Sequence, residues 1–211
     1  QARHKFGRGD QWVQRYSTRM VGVFGVNWNK SWLLVVGLFV MRLLAGEAMI
    51  SSAFAADSLC LDGGRCAVPN GYYLAKAPDD WDGITPLGLI VYFHGWNGSP
   101  EGTFRNRAMV SAAHRRGALF VAPWAATGYW RQIGPGRSEG GRDELAYTRA
   151  ILEDVKRRWP VDVRLTLASG FSRGASMVWN LACFGGDLFA GFAPIAGGFW
   201  NDTPVTCPTG P

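Results

Sequence analysis

One segment constrains the fold of this chain more than any other: Gly170-x-Ser172-x-Gly174 lies between an apolar strand pattern and an apolar helix pattern. Leu165, Leu167 and the small residues that follow them predict a short buried strand. From residue 175 onward, four apolar residues share one face of a predicted helix: Met177, Val178, Leu181 and Ala182. The serine is therefore expected on a sharp turn between a sheet and a helix.

A serine on such a turn forms a nucleophile elbow, which is typical of the α/β-hydrolase fold. A serine hydroxyl is a weak nucleophile, so it needs a base within reach and a helix N-terminus that stabilises negative charge. Gly170 and Gly174 let strand and helix approach without Cβ clashes, while Ser172 takes a strained backbone conformation. The alternative is a glycine-rich turn with a capping serine, and the strand and helix on either side argue against it. Ser172 is therefore the predicted nucleophile.

The charge distribution gives no argument for a nucleic-acid partner. The net charge is +6, but residues 1–56 carry seven Lys and Arg against two acids, and residues 57–211 carry fifteen against fourteen. The excess thus belongs to the first part of the chain and not to a basic surface of the domain. With 47% hydrophobic and 18% charged residues in 211, the chain has the composition of one globular domain.

Residues 20–56 are expected to direct export, and the residues before them have no assigned function. Residues 1–19 are basic without apolar periodicity, so we predict a non-native or disordered extension. Residues 20–56 match a signal peptide: Lys30, an apolar run over 32–41 and then Ala53-Phe54-Ala55. The run is too short to span a membrane, although an uncleaved anchor extending over 43–55 stays open. We expect a secreted protein, extracellular or periplasmic, without stable membrane association once the signal is removed.

All four cysteines lie after the expected cleavage point: Cys60, Cys66, Cys183 and Cys207. An even number in an exported chain favours disulfides, most simply Cys60 with Cys66 and Cys183 with Cys207, although other pairings stay open. Zinc binding is the competing interpretation, and the lack of a Cys-x-x-Cys pair or a neighbouring histidine argues against it. We expect no metal and no cofactor.

A second stretch supplies the expected partners of the serine. The apolar run Leu87–Phe93 predicts a strand buried on both faces of a parallel sheet. It ends in His94-Gly95-Trp96, at the carboxyl end of the strand, where open α/β sheets bind ligands. In hydrolases of this fold, one oxyanion donor comes from this loop and the other from the residue after the nucleophile.

We therefore predict the backbone amides of Trp96 and Arg173 as oxyanion-hole donors. His94 and Gly95 are predicted to orient the loop, because a histidine upstream of the serine does not fit the chain order Ser, acid, His of this fold. His114 lies among arginines on a predicted helix over residues 104–116, and it is expected at the surface.

The loop after the next predicted strand, residues 118–122, is rich in aromatic residues. Trp124, Tyr129 and Trp130 stand among small residues and would form a platform for a sugar, a phenolic ring or a polyester chain. Packing within the loop is the equally weighted alternative. Further on, Asp143 and Glu144 open a predicted helix that ends at Arg158, so we expect Asp143 to be a helix cap and not a triad acid.

Together these residues resemble secreted esterases of the polyhydroxybutyrate depolymerase and feruloyl esterase group. The resemblance covers roughly residues 71–200 and is carried by Phe93-His94-Gly95, Trp130, Asp143, the glycine-serine elbow, Leu181-Ala182-Cys183 and Ala193-Pro194-Ile195-Ala196-Gly197-Gly198. It implies that Ser172 is acylated, that Cys183 bridges Cys207, and that the substrate is an ester, polymeric or plant-derived.

The chain departs from this group at its C-terminal end. Members of the group continue past the position of Cys207 into a strand with the triad acid and a later loop with the catalytic histidine, and neither matches here. We therefore expect residues 57–211 to form a partial α/β-hydrolase domain, truncated at the C-terminus, with a mostly parallel sheet, flanking helices and an exposed hydrophobic edge. The alternative function is a noncatalytic exported module that binds a polymer or carbohydrate and keeps a vestigial elbow.

Overall fold

The computed structural model describes Cys60 and residues 63–134, 140–199 and 203–209. The predicted extension over residues 1–19 and the predicted signal peptide over residues 20–56 lie outside these residues. Every helix within the described ranges is too short or too polar to cross a membrane.

A six-stranded sheet organises the domain. In chain order its strands are β1 (Arg65–Val68), β2 (Gly71–Lys76), β3 (Leu87–Phe93), β4 (Ala118–Pro123), β5 (Val161–Phe171) and β6 (Gly191–Ile195). Their spatial order is β1-β2-β4-β3-β5-β6. The pairs β1–β2 and β2–β4 are antiparallel, while β3 pairs in parallel with β4 and β5, and β5 with β6. The predicted mostly parallel sheet is confirmed, and β1 is a strand that the sequence analysis missed.

Four helices flank the sheet within the described residues: α1 (Pro100–Arg105), α2 (Arg107–His114), α3 (Glu144–Arg158) and α4 (Arg173–Phe184). The single helix predicted over residues 104–116 is wrong, because the chain breaks at Asn106 into α1 and α2. The Asn106 side chain accepts a hydrogen bond from the Met109 N–H, so it caps α2. The predicted helix that ends at Arg158 is confirmed as α3.

The two faces of the sheet are covered unequally. On β3, Leu89, Val91 and Phe93 are fully buried in the main core with α3 and α4, whereas Ile90 and Tyr92 are only partly buried. The opposite face packs on a small cluster around Val110, Ala113, Ala118 and Phe120. The prediction that β3 is buried on both faces is therefore corrected, because the short helices α1 and α2 cover only part of the second face.

Strand β5 is longer than its neighbour. It runs for 11 residues, but β6 pairs with it only from Leu167 onward. Leu165, predicted in a buried strand, is consequently 62% exposed, and Val163 is similarly open. The N-terminal half of β5 therefore forms an exposed apolar edge.

Two disulfides fix the ends of the described domain. Cys60 pairs with Cys66, and Cys183 at the end of α4 pairs with Cys207. This is the pairing that the sequence analysis favoured. Thr209 adds a second attachment, since its backbone N–H and hydroxyl both donate to the Cys183 carbonyl.

Candidate active site

Ser172 occupies the junction between β5 and α4. Its φ of 54° and ψ of −117° place it in a region that residues other than glycine rarely adopt. Its backbone N–H donates to the Ile195 carbonyl at 3.0 Å, which ties the turn to the end of β6. The side chain makes no capping hydrogen bond to α4, and the residue is partly exposed. The alternative of a capping serine does not fit this geometry.

The two glycines around Ser172 bring the strand and the helix into backbone contact. A Cβ atom on Gly174 would overlap the Phe93 carbonyl, and a Cβ on Gly170 would lie 2.7 Å from the Gly174 carbonyl oxygen. Any larger residue at position 174 would push α4 away from β3. The close approach that the sequence predicted for both glycines is therefore present.

The loop after β3 lies directly beside the serine. A Cβ atom on Gly95 would be 3.7 Å from the Ser172 Cβ and 3.4 Å from the Phe171 carbonyl. Trp96 follows Gly95 in this loop, and Arg173 is the first residue of α4. First-turn N–H groups point toward the N-terminal end of a helix, where they and the helix dipole favour negative charge. The geometry thus brings together a serine and the two residues predicted as amide donors.

His94 is buried beneath this loop. It is 4% exposed, and its Nδ1 lies 2.8 Å from the Gly95 carbonyl oxygen. Because a carbonyl only accepts, Nδ1 carries the hydrogen, and Nε2 has no hydrogen-bond partner among the described residues. Burial lowers the pKa of His94, so the ring is neutral near pH 7. This arrangement suits a residue that orients the loop.

Trp130 supports the same loop from below. It is 1% exposed and packs edge-on against Phe93 and tilted against His94, with ring centroids 5.0 Å apart in both pairs. Its indole Nε1 donates to the His94 carbonyl at 2.8 Å. Of the two interpretations of this aromatic loop, Trp130 therefore fits packing within the loop and not a substrate platform, because a ring buried this deeply has no face open to a ligand.

The other two predicted platform residues differ from each other. Trp124 is partly buried and stacks on Tyr72 of β2, with centroids 5.5 Å apart, so it packs against the antiparallel side of the sheet. Tyr129 stacks instead on Trp96, with centroids 4.8 Å apart and planes 5° from parallel. Trp96 is 58% exposed. The sequence predicted a role for the backbone amide of Trp96 and none for its ring, although a tryptophan beside the histidine-glycine pair was the available signal.

Arg173 connects the loops after β3 and β4. Its Nε donates to the Trp130 carbonyl at 3.2 Å, and its guanidinium carbon lies 5.5 Å from the centre of the Tyr129 ring. The Asn97 N–H also donates to the Gly128 carbonyl at 2.7 Å. The two loops and the start of α4 therefore form one connected unit.

A buried ion pair contacts the loop after β4. Arg142 Nη2 lies 2.7 Å from Glu144 Oε2, and the side chains are 4% and 1% exposed. Glu144 Oε1 also accepts from the Arg131 N–H, while Arg142 donates to the Trp124 carbonyl. Burial raises the pKa of Glu144, and the Arg142 charge opposes that shift. Glu144 thus does more than complement the dipole of α3, which was its predicted role.

The remaining acids and bases lie elsewhere. Asp143 caps α3, as predicted, by accepting from the N–H groups of Leu145 and Ala146.

His114 Nε2 lies 3.2 Å from the Lys76 carbonyl, in a cavity that includes Leu87 and Gly117, near the amino ends of β3 and β4. Ser172 follows the carboxyl end of β5, at the opposite edge of the sheet. Within the described ranges, no group of three or more His, Cys, Asp or Glu could hold a metal ion.

Comparison with known proteins gives similarity to esterases. No protein-family model matches the chain. It is 26% identical over 171 residues to the "Probable feruloyl esterase C" of Aspergillus niger, a match that covers 76% of this chain and 61% of that protein. It is 29% identical over 132 residues to the feruloyl esterase C of Emericella nidulans, covering 60% of this chain and 46% of that protein. The chain thus spans at most about three-fifths of these relatives.

Two solved structures from Staphylococcus aureus share the architecture. The fluorophosphonate-binding serine hydrolase FphF superimposes with a TM-score of 0.54 at 17% identity, covering 65% of this chain and 60% of that one. The S-formylglutathione hydrolase FrmB gives 0.50 at 18% identity, covering 63% and 57%. At these identities the likeness concerns the fold. The six strands within the described ranges, with their flanking helices, accordingly adopt the α/β-hydrolase fold.

Proposed function

We propose that this chain carries the nucleophile and the oxyanion hole of a serine carboxylic ester hydrolase. The observation that carries the proposal is the position of Ser172, partly exposed at φ 54° and next to Gly95. In the reaction, the Ser172 Oγ attacks the ester carbonyl carbon and loses its proton to a base. The Trp96 and Arg173 amides donate to the oxyanion, and each such donor typically lowers the barrier by about 3 kcal/mol.

The reaction then proceeds through an acyl-enzyme. The tetrahedral intermediate collapses with cleavage of the ester C–O bond, the alcohol leaves with a proton from the base, and Ser172 remains acylated. A water molecule, deprotonated by the same base, attacks the acyl carbon, and the carboxylic acid departs as the serine regains its proton.

The base and its acid complete the proposal from other parts of the protein. His94 is buried with its Nδ1 on the Gly95 carbonyl, and His114 lies at the opposite edge of the sheet. The chain order of this fold places both the acid and the histidine after the nucleophile. We therefore assign them to a portion that follows Pro211, which is consistent with the greater length of the curated relatives.

The finer assignment concerns substrate and location. Similarity to feruloyl esterases supports a plant-derived ester as the substrate. A polymeric ester is supported only by the resemblance of the sequence motifs to the polyhydroxybutyrate depolymerase group. The two disulfides support export, because such bonds persist in oxidising compartments.

A fluorophosphonate probe tests the nucleophile directly, because it reacts only with an activated serine. We expect labelling of the protein that includes the portion after Pro211, with the label on the Ser172 peptide in mass spectrometry. Ser172→Ala should remove the label, whereas Ser111→Ala, at an exposed position on α2, should keep it. Absence of labelling in the wild-type protein contradicts the proposal and favours the noncatalytic binding module. Labelling that survives in Ser172→Ala contradicts it equally.

A further inference from the structure

We infer that the buried ion pair of Arg142 and Glu144 positions the proposed oxyanion hole, because it fixes the loop after β4, which in turn holds the loop after β3. The assignment rests on the proposed function, since it names two positioning residues for the same reaction. Arg142 lies just before α3, and Glu144 is its first residue. Both act through backbone groups of the loop after β4, and neither is assigned a contact with the substrate.

The ion pair holds the loop after β4 at two points. Arg142 Nη2 donates at 2.9 Å to the carbonyl of Trp124, the first residue after β4. Glu144 Oε1 accepts from the Arg131 N–H at 3.4 Å, and Glu144 Oε2 lies 2.7 Å from the same Arg142 Nη2. The beginning of the loop and a later point in it are therefore tied to a single ion pair.

The guanidinium of Arg142 has little room to move. Its central carbon lies 3.6 Å from the centre of the Tyr147 ring, and its Nη1 donates to the Asn70 carbonyl at 3.3 Å. A Cβ atom on Gly71 would lie 3.0 Å from the same Nη1. The Tyr147 hydroxyl also accepts from the Trp124 N–H at 3.2 Å. The groups that bind the loop are thus themselves held in one orientation.

Stability alone does not explain a buried ion pair at this place. Apolar side chains of similar volume often stabilise a protein as well as such a pair does, because burying two charges removes them from water. Apolar side chains lack direction, however, and could not bind the Trp124 carbonyl and the Arg131 N–H in a fixed geometry. The contribution that we infer is therefore the orientation of the loop.

Trp130 connects the loop after β4 to the serine site. It precedes the second attachment point of the loop, and its indole Nε1 donates to the His94 carbonyl at 2.8 Å. His94 and Gly95 share that peptide group, and a Cβ atom on Gly95 would lie 3.7 Å from the Ser172 Cβ. The Trp96 amide, a proposed oxyanion donor, follows in the chain. A displaced Trp130 would therefore shift a donor that must be aimed before the reaction begins.

The test compares Glu144→Gln with Asp154→Asn in the protein that includes the portion after Pro211. Both variants neutralise a buried acid of α3, but Asp154 binds Arg158 and the Tyr73 hydroxyl, which do not belong to the loop after β4. With p-nitrophenyl butyrate, Glu144→Gln should lower kcat about 30-fold at nearly unchanged KM, because acylation and deacylation both pass through an oxyanion. Asp154→Asn should change kcat less than about twofold.

Urea denaturation keeps unfolding separate from lost positioning. It gives the folded fraction of each variant, and kcat is expressed per folded molecule. Arg142→Lys supplies the same comparison if Glu144→Gln does not fold. Lysine keeps the positive charge but lacks the planar fork that binds Glu144 and the Trp124 carbonyl together, so kcat should fall about tenfold.

A double variant tests whether the ion pair acts through Trp130. In Trp130→Phe the indole donor to the His94 carbonyl is already missing, so adding Glu144→Gln should lower kcat only about threefold further. A further loss of about 30-fold would mean that the two residues act independently, and it overturns the inference.

Two other results also overturn it. One is an unchanged kcat in folded Glu144→Gln or, where that variant does not fold, in Arg142→Lys. The other is an equal loss of kcat in Asp154→Asn. Fluorophosphonate labelling separates this inference from the proposed function: a labelled wild-type protein with either result rejects the positioning role alone, whereas an unlabelled wild-type protein rejects the proposed function as well.

Discussion

The loops after β3 and β4 meet at the same edge of the sheet but contribute in different ways. The loop after β3 contributes backbone: a Cβ atom on Gly95 would lie 3.7 Å from the Ser172 Cβ, and the amide of Trp96 follows in the chain. The loop after β4 contributes side chains: Trp130 donates to the His94 carbonyl, and Tyr129 stacks on Trp96. Backbone requirements leave glycines in fixed positions, so a sequence reveals them, whereas side chains of one type in one loop can face the core or the solvent.

The largest expected effect tests the close backbone contact between α4 and β3. Gly174→Ala should abolish fluorophosphonate labelling and lower the free energy of unfolding by about 3 kcal/mol, because the new Cβ would collide with the Phe93 carbonyl. Labelling and urea denaturation measure the two effects. Gly198→Ala is the matched control, since a Cβ there meets nothing within 4 Å. Full labelling in Gly174→Ala would mean that α4 and β3 can accommodate a Cβ atom between them, which contradicts the close contact at Gly174.

A smaller effect tests the buried side chain that the loop after β4 contributes. Trp130→Phe keeps an aromatic ring but removes the donor to the buried His94 carbonyl, so stability should fall by about 2 kcal/mol and labelling should slow. Trp124→Phe, in the same loop but stacked on Tyr72, should cost less than about 1 kcal/mol and leave labelling unchanged. Thermal unfolding and the rate of probe reaction distinguish them. Equal effects would mean that Trp130 contributes no more to stability and to the labelling rate than Trp124 does.

The smallest effect is a pH dependence that sharpens the role of His94. Burial lowers the pKa of His94 below its ordinary value of 6.5. Between that value and the folded pKa, the unfolded chain binds a proton that the folded chain does not. The contribution of His94 to stability should therefore be complete above pH 6.5 and decline as the pH falls through this window.

Urea denaturation from pH 7.5 to pH 4.5 measures this dependence. His94→Asn can still donate to the Gly95 carbonyl but does not titrate, so the pH dependence of its stability should be smaller than in the wild-type protein. An identical pH dependence in both proteins would mean that His94 is readily protonated in the folded state. It would then have access to solvent that its 4% exposure denies.

The sequence predicted the elements that depend on short-range patterns. The strand-elbow-helix unit, the mostly parallel sheet, the long helix up to Arg158 and its Asp143 cap all follow from periodicity and cap chemistry within a few residues. The errors have the same origin. Asn106 can lie within a helix or cap one, and only its hydrogen bond to Met109 decided that residues 104–116 form two helices.

The candidate site contains some residues that local sequence patterns predict and others that they do not. Ser172, its glycines and the loop after β3 could be predicted, because a tight backbone approach tolerates few residue types. The buried Arg142–Glu144 pair could not, since two charged residues near a helix start usually face water. Leu165 was likewise predicted to be buried, and it is 62% exposed on the part of β5 with which β6 does not pair.

By itself, the sequence determined the serine on its turn, the glycines that let β3, β5 and α4 touch there, and the amides expected to face it. The tertiary structure alone decided which aromatic rings are open: Trp130 is enclosed under the loop after β3, Trp124 lies on β2, and Trp96 faces solvent on Tyr129. The physical reason is that backbone strain is a property of a few adjacent residues. Side-chain burial depends on every element that packs around the ring.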